Sequence, residues 1–207
     1  LFVLGFFYAL TSLGLILSYK YIPSGVATTI HFLYPVVVTG IMVLLFREKK
    51  SPVLMLCTLL SLLGVGLLSW NGGESLSREG ILLVLMTVVT YALYIVGVNK
   101  SGVCRIDSLP LTFFVLLNAT GILFVYASLT HGIQPLPTGR AVLNAVLLAL
   151  IPTVISNLTL VLAVRNVGST ITAILGSMEP LTAVVVGICY FHEAFDSRYA
   201  AGLTLII

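Results

Sequence analysis

Apolar stretches long enough to cross a lipid bilayer fill the chain, and this feature limits its fold more than any other. A membrane-spanning helix needs about 20 mainly apolar residues. Cutting the sequence at charged residues, Pro and Gly leaves seven such stretches and the start of an eighth: 1–19, 22–46, 52–70, 80–98, 109–130, 141–164, 168–191 and 198 onwards. We therefore predict an all-α polytopic membrane protein, because helices satisfy their backbone polar groups internally.

The composition supports this class and excludes others. Of the residues, 59% are hydrophobic and 8% charged, whereas soluble domains carry about 25% charged residues. The net charge of +3 is small and dispersed, so we expect no nucleic-acid partner. The chain begins and stops inside apolar runs without an initial Met, and we interpret it as a fragment.

Basic residues are distributed unequally between the two sets of alternate connectors. One set holds Arg47, Lys49, Lys50, Lys100, Arg105 and Arg165, and the other holds Lys20, Arg78, Arg140 and Arg198. Because cytoplasmic loops are enriched in Lys and Arg, we predict that the first set faces the cytoplasm.

Two distant segments share the same order of a basic residue, a proline in the middle of an apolar run and a glutamate at its end. "KYIPSGVATTIHFLYPVVVTGIMVLLFRE" aligns without a gap on "RNVGSTITAILGSMEPLTAVVVGICYFHE", 145 residues later. Five predicted crossings separate equivalent points, so the second copy is inverted relative to the first. Inverted repeats are common in transporters, whose substrate site lies near the midplane between the halves.

The same offset relates two polar helix faces. Each has the i, i+3, i+4 spacing that places its members on one side of a helix: Tyr8, Thr11 and Ser12 in the first copy, and Thr153, Ser156 and Asn157 in the second. We expect these faces to line one cavity. The alternative is hydrogen bonding between helices, for which Ser, Thr and Asn are commonly used in membranes.

The segments "YKYIPSGVATTIHFLYPVVVTGIMVLLFREK" and "MEPLTAVVVGICYFHEAF" resemble the EamA family of the drug/metabolite transporter superfamily. The resemblance extends over nearly the whole chain. It implies a ten-helix fold of two inverted five-helix repeats, of which about eight helices are present. Residues 1–70 would be helices three to five of the first repeat, and 80–207 the second repeat with its last helix truncated. It also implies a multi-pass protein of the bacterial cytoplasmic (inner) membrane.

Glu179 is the strongest candidate for a functional residue. It is the twelfth of the 24 residues in 168–191 and so falls near the bilayer centre, where a charge costs roughly 2.5–3.5 kcal/mol. It should face the bundle interior, pair with a donor or be protonated. We expect Glu179 and His31 to border the central site, where they contact substrate or exchange a proton. The alternative for Glu179 is a structural acid beside a helix kink.

Two prolines extend this hypothesis. Pro35 and Pro180 have no N–H for the carbonyl groups of His31 and Gly176, so both are predicted to kink their helices. Tyr34 occupies the position in the first copy that Glu179 has in the second. We therefore include Tyr34 among the predicted site residues.

Further candidate site residues are identified by helical spacing or as a single polar residue in an apolar span. Thr87, Tyr91 and Tyr94 share one helix side at i, i+4 and i+7, and Asn118 is the lone amide of its span. We expect Tyr91, Tyr94 and Asn118 to line the cavity, although Tyr94 would also suit a membrane interface.

Catalytic and cofactor motifs are missing from the sequence. It has no Gly-rich phosphate loop with Lys, no HExxH and no Cys/His cluster. We expect no enzyme, no cofactor and no metal site. The resemblance to the EamA family implies a secondary transporter that exports a small metabolite, with an amino-acid-like or related compound as the expected substrate. The inverted repeat predicts alternating access, and the lipid bilayer and protons are further expected partners. The alternative is a non-transporting regulatory or sensory membrane protein.

Overall fold

The computed structural model describes residues 1–48, 77–130 and 137–176, and isolated positions at 52, 53, 56, 59, 60, 63, 132, 178, 179 and 182. The predicted spans at 52–70 and from 198, the second half of the span 168–191, and Pro180 with its predicted kink lie outside the described residues, apart from those isolated positions.

Regular structure in these described ranges is helical throughout. The α-helices are α1 Phe2–Ser18, α2 Ser24–His31, α3 Tyr34–Leu44, α4 Arg78–Lys100, α5 Ser108–Thr130, α6 Gly139–Ala149, α7 Ser156–Val167 and α8 Ser169–Leu175. A π-helical segment, Leu150–Ile155, joins α6 to α7, and a short 3-10 helix, Gly102–Arg105, lies between α4 and α5.

Three of the described helical stretches are long and apolar enough to cross a membrane. They are α4, α5 and the continuous stretch Gly139–Val167. The prediction of an all-helical integral membrane protein is therefore confirmed for the described part of the chain.

The predicted span 22–46 is divided into two helices. α2 ends at His31, and α3 begins at Tyr34 with Pro35 in its first turn. Proline cannot donate a hydrogen bond to the His31 carbonyl, whereas its fixed backbone torsion suits the first turn of a new helix. The break places His31 and Tyr34 on either side of a short turn in the interior of the bundle.

A second irregularity surrounds Pro152, which was not predicted from the sequence. Pro152 lacks the N–H that would bind the carbonyl of Leu148, four residues earlier. The hydroxyl of Thr153 donates to that carbonyl oxygen at 3.1 Å. The wider π-helical turn accommodates this substitution of a side-chain donor for a backbone donor.

The central element of the described bundle is α4. It packs against α1, α2, α3, α7 and α8, and Val88, Ala92 and Ile95 on it are buried. The contact between α1 and α4 is close because Gly14 lies against Thr87. Small residues at such crossings are typical of membrane helices.

The ends of α3, α4 and α7 meet at one end of the bundle. Three contacts join them there: Lys100 Nζ to Glu48 Oε1 at 3.5 Å, Asn99 Nδ2 to the Val164 carbonyl at 3.1 Å, and Arg165 Nη2 to the Val103 carbonyl at 3.1 Å. We call this the closed end of the described bundle.

Candidate functional site

A cavity of about 800 Å³ lies between α1, the α2–α3 break, α4, the π-helical segment, α7 and α8. Its volume is in the range of small-molecule sites, about 300–1,000 Å³. Most of the predicted site residues line it: Tyr8, Thr11, His31, Tyr34, Tyr91, Ser156, Asn157 and Glu179.

One wall is a single stripe of α1. Tyr8, Thr11, Ser12 and Leu15 follow helical spacing and lead to Tyr19 just beyond the helix end. Tyr19 is exposed, so the cavity reaches the surface of the described bundle there, opposite the closed end. It is also open along the side of Pro152, Ser156 and Thr159, which are exposed too.

Thr11 both lines the cavity and forms a hydrogen bond to a neighbouring helix. Its Oγ1 lies 2.7 Å from Thr90 Oγ1 on α4 and 2.8 Å from the Phe7 carbonyl oxygen. The cavity wall is thereby attached to the central helix. The two interpretations of the polar face on α1 therefore do not exclude each other.

Five rings form the aromatic cluster: Tyr8, His31, Tyr34, Tyr91 and Tyr94. Tyr91 is at its centre, with ring centroids 4.8 Å from Tyr34, 5.3 Å from His31 and 6.2 Å from Tyr94. Tyr8 meets Tyr94 edge to face at 5.5 Å. These separations are typical of favourable ring pairs, so the rings support one another as a continuous surface.

A threonine behind the cavity orients His31. His31 Nδ1 lies 2.9 Å from Thr87 Oγ1, whose hydroxyl donates to the Val84 carbonyl at 2.7 Å. A hydroxyl has one hydrogen, so Thr87 accepts from the Nδ1–H of His31. In the neutral imidazole, Nε2 is then the nitrogen that can accept a hydrogen bond.

Tyr94 lies behind Asn157 and positions it. The Tyr94 hydroxyl donates to Asn157 Oδ1 at 2.6 Å. Because an amide NH₂ cannot accept that bond, Nδ2 is left as the remaining donor. This nitrogen is buried and has no hydrogen-bond partner among the described residues. Tyr94 itself is not among the residues that line the cavity.

Glu179 brings a carboxylate to the cavity. Its side chain is exposed, and it lines the same cavity as Tyr34 and Tyr91. No hydrogen bond or ion pair of this carboxylate occurs within the described part of the chain. The nearby Gly176 has no room for a side chain, because a Cβ there would overlap the Tyr34 hydroxyl.

Two residues that were expected at the cavity, Asn118 and Thr153, do not line it. Asn118 is not among the cavity-lining residues: its Nδ2 donates to the Phe114 carbonyl at 2.7 Å, and its Cβ faces Gly5 where α1 crosses α5. Thr153, the third member of the second polar face, makes the bond to Leu148 at the π-helical turn.

Several lining residues were not predicted. They are Leu15, Tyr19, Thr28, Phe32, Pro152, Thr159, Leu160, Ala163, Thr172, Leu175 and Gly176. Ser12, which was predicted as part of the first polar face, also lines the cavity. Helical spacing could have found part of this set, because Thr28 lies one turn before His31 and Thr159 one turn after Ser156. The apolar members carry no signal of their own.

Comparison with known proteins identifies the family. The profile of the EamA-like transporter family matches residues 78–207. The chain therefore belongs to the EamA-like transporter family, and the resemblance found in the sequence is confirmed.

One relative and one structure extend the similarity to the remaining residues. The chain is 25% identical over 203 residues to the uncharacterized transporter YvbV of Bacillus subtilis (strain 168), covering 97% of this chain and 65% of the relative. A protein of known crystal structure superimposes with a TM-score of 0.84 at 20% identity, covering 99% of this chain and 72% of that protein. The chain thus spans about two thirds of the relative's length, and the structural match shows a shared fold.

Proposed function

We propose that this protein is a secondary transporter that exports a small, amino-acid-like or related metabolite through the cavity. The observation that carries the proposal is the cavity of about 800 Å³, lined by hydroxyls, an amide, an imidazole and a carboxylate among otherwise apolar helices. A bundle needing only structural support would not require a carboxylate in such a place, where Glu179 has no partner among the described residues. Family membership supports the same function.

The two ends of the bundle support alternating access. The cavity reaches the surface beside Tyr19, whereas contacts such as Lys100–Glu48 hold the opposite end together. An exposed ion pair contributes only about 0–1 kcal/mol, so it can break during a transport cycle. The excess of basic residues in the connectors at the closed end supports a cytoplasmic location for that end, and we propose that the membrane is a bacterial inner membrane. We propose that residues 1–70 and 80–207 rock against each other as inverted repeats.

Protons are the candidate coupling ion. Glu179 has no cationic partner in the described part of the chain, so proton uptake would neutralise it without breaking an ion pair. His31 offers a second acceptor through Nε2. Transport would then alternate between a charged site that binds substrate and a protonated site that releases it.

Counterflow in proteoliposomes tests the function. Purified protein would be reconstituted with a panel of unlabelled amino acids and amines inside, and uptake of the corresponding radiolabelled solute would be measured. We expect transient accumulation that Glu179→Gln abolishes. Glu79→Gln is the matched control, because Glu79 is an exposed acid at the first turn of α4, outside the cavity.

The outcomes separate the competing functions. Accumulation of at least one solute supports a transporter. Saturable binding of a solute without counterflow would indicate a sensory or regulatory protein. Neither binding nor counterflow across the panel would contradict the assignment of this cavity as a substrate site.

A further inference from the structure

We propose that the transported metabolite is recognised as an organic amine, with its ammonium group held between Glu179 and the aromatic cluster. This inference rests on the proposed function, because it takes the cavity as the transport site. It defines the group that the site recognises: a positive charge, with no requirement for a carboxylate on the ligand.

The charges of the lining residues favour a cationic ligand. Glu179 is the one acid among the described lining residues, and no Lys or Arg is among them. Two described cations, Lys100 and Arg165, are bound at the closed end, one to Glu48 and one to the Val103 carbonyl. An uncompensated carboxylate in a weakly polar cavity attracts a cation and repels an anion.

The rings carry the second step. The faces of aromatic rings attract cations, and clusters of such rings bind alkylammonium groups. Glu179 lines the cavity together with Tyr34 and Tyr91, whose ring centroids are 4.8 Å apart. The Tyr34 hydroxyl lies against Gly176, whose carbonyl oxygen accepts from the backbone N–H of Glu179. We therefore infer that one small ligand contacts the acid and both rings in this cavity.

Hydrogen-bonding groups carry the third step. The bond from Nδ1 to Thr87 leaves His31 Nε2 as an acceptor, which suits an ammonium N–H. His31 also lies 5.5 Å from Tyr34 between ring centroids. The acceptors in this part of the cavity, a carboxylate and an imidazole nitrogen, thus match a ligand that donates.

The donors available to an anionic group are neutral: the hydroxyls of the lining, such as those of Tyr8, Tyr34 and Tyr91, and the amide of Asn157. Asn157 Nδ2 is the buried amide donor without a partner in the described residues, and Tyr94 holds the other side of that amide. An amide can orient a ligand carboxylate but does not neutralise it. We therefore infer that a carboxylate on the ligand adds little to binding, and that simple amines are bound at least as well as the corresponding amino acids.

Matched ligands test the inference on the purified protein in detergent. Phenethylamine, phenylalanine and 3-phenylpropionate share one ring and differ in charge, and isopentylamine, leucine and 4-methylvalerate repeat the comparison on an aliphatic chain. Dissociation constants would be measured by ligand-dependent thermal stabilisation. In at least one of the two series, we expect the amine to bind as tightly as the amino acid or more tightly, and roughly tenfold or more tighter than the acid.

Variants separate the carboxylate from general effects. Glu179→Gln preserves the shape of the side chain and should weaken amine binding roughly tenfold or more. Glu79→Gln, again the control, should leave it unchanged. Should Glu179→Gln fail to fold, the ranking of the ligands on the unmodified protein decides the question.

Contrary results are distinct from failure of the proposed function. Tighter binding of the amino acid or the acid than of the amine in both series would overturn the inference, as would unchanged amine binding in Glu179→Gln or no binding of either amine. In each of these cases, counterflow of another solute would leave the transporter assignment intact. Absence of counterflow for every solute would remove the transport function itself.

Discussion

Replacing Gly14 with Ala tests whether the close contact between α1 and α4 positions the site. A Cβ at position 14 would lie 2.5 Å from Thr87 Cγ2 and 2.9 Å from Met86 Cε. The flexible end of Met86 can move aside. Thr87 is buried, branched and bonded through its hydroxyl to His31 and Val84, so the helices must separate instead. We expect a loss of about 1–3 kcal/mol in the free energy of unfolding, the usual cost of overpacking.

Unfolding by SDS in mixed micelles, followed by circular dichroism, measures this loss. Gly121→Ala on α5 is the matched control, because position 121 is exposed and no described atom lies within 4 Å of the place that an added Cβ would occupy. That change should stabilise the protein by up to about 1 kcal/mol, since Ala favours a helix over Gly. If Gly14→Ala proved as stable as the unmodified protein, the close packing of α1 on α4 would be refuted.

The same variant also tests how the helix contact reaches the cavity. Displacement of Thr87 would turn His31 away from its bond, so affinity for the bound metabolite should fall together with stability. A variant that loses stability but keeps full affinity would show that Thr87 does not position His31 for binding.

Three further predictions concern hydrogen bonds and the closed end. Tyr94→Phe leaves the Asn157 carbonyl oxygen without its donor and should lower the free energy of unfolding by about 0.5–2 kcal/mol. In an Asn157→Leu variant, where that oxygen is absent, adding Tyr94→Phe should cause no further loss in SDS unfolding. Thr87→Val keeps the shape of the side chain but removes the acceptor for His31, and it should lower the free energy of unfolding by about 1–3 kcal/mol. If Thr87→Val caused the same loss in a His31→Phe variant, the bond between Thr87 and His31 would be contradicted. Lys100→Met should change unfolding by less than about 1 kcal/mol, because its ion pair is exposed, and a loss above about 2 kcal/mol would show a stronger contact.

Most of the described helices could be predicted from the sequence, because apolar length is a local property. The predicted spans 80–98 and 109–130 correspond to Arg78–Lys100 and Ser108–Thr130. The π-helical turn was not predicted. It depends on how Thr153 replaces the donor that Pro152 lacks, and the presence of a proline does not determine whether a helix kinks, breaks or widens.

The predicted site residues were found by two local signals, helical spacing and an ionisable group inside an apolar span. Both signals report which residues share a helix face, and neither reports what that face meets. Tyr91 and Tyr94 illustrate the difference, since Tyr91 lines the cavity whereas Tyr94 lies behind Asn157. Asn118 has the same polar character but faces Gly5 across a helix crossing.

By itself, the sequence determined that this chain is a helical membrane protein, because transfer of apolar helices into lipid depends on composition and length alone. Its family followed from the resemblance of two segments and from the match to the EamA-like transporter profile. The tertiary structure decided which polar groups are satisfied by one another and which remain free. Thr87 and Tyr94 are bonded to His31 and Asn157 behind the cavity, while Glu179 is left unpaired among the described residues. Such pairing joins residues more than fifty positions apart, and only the packing of the helices brings them within hydrogen-bonding distance.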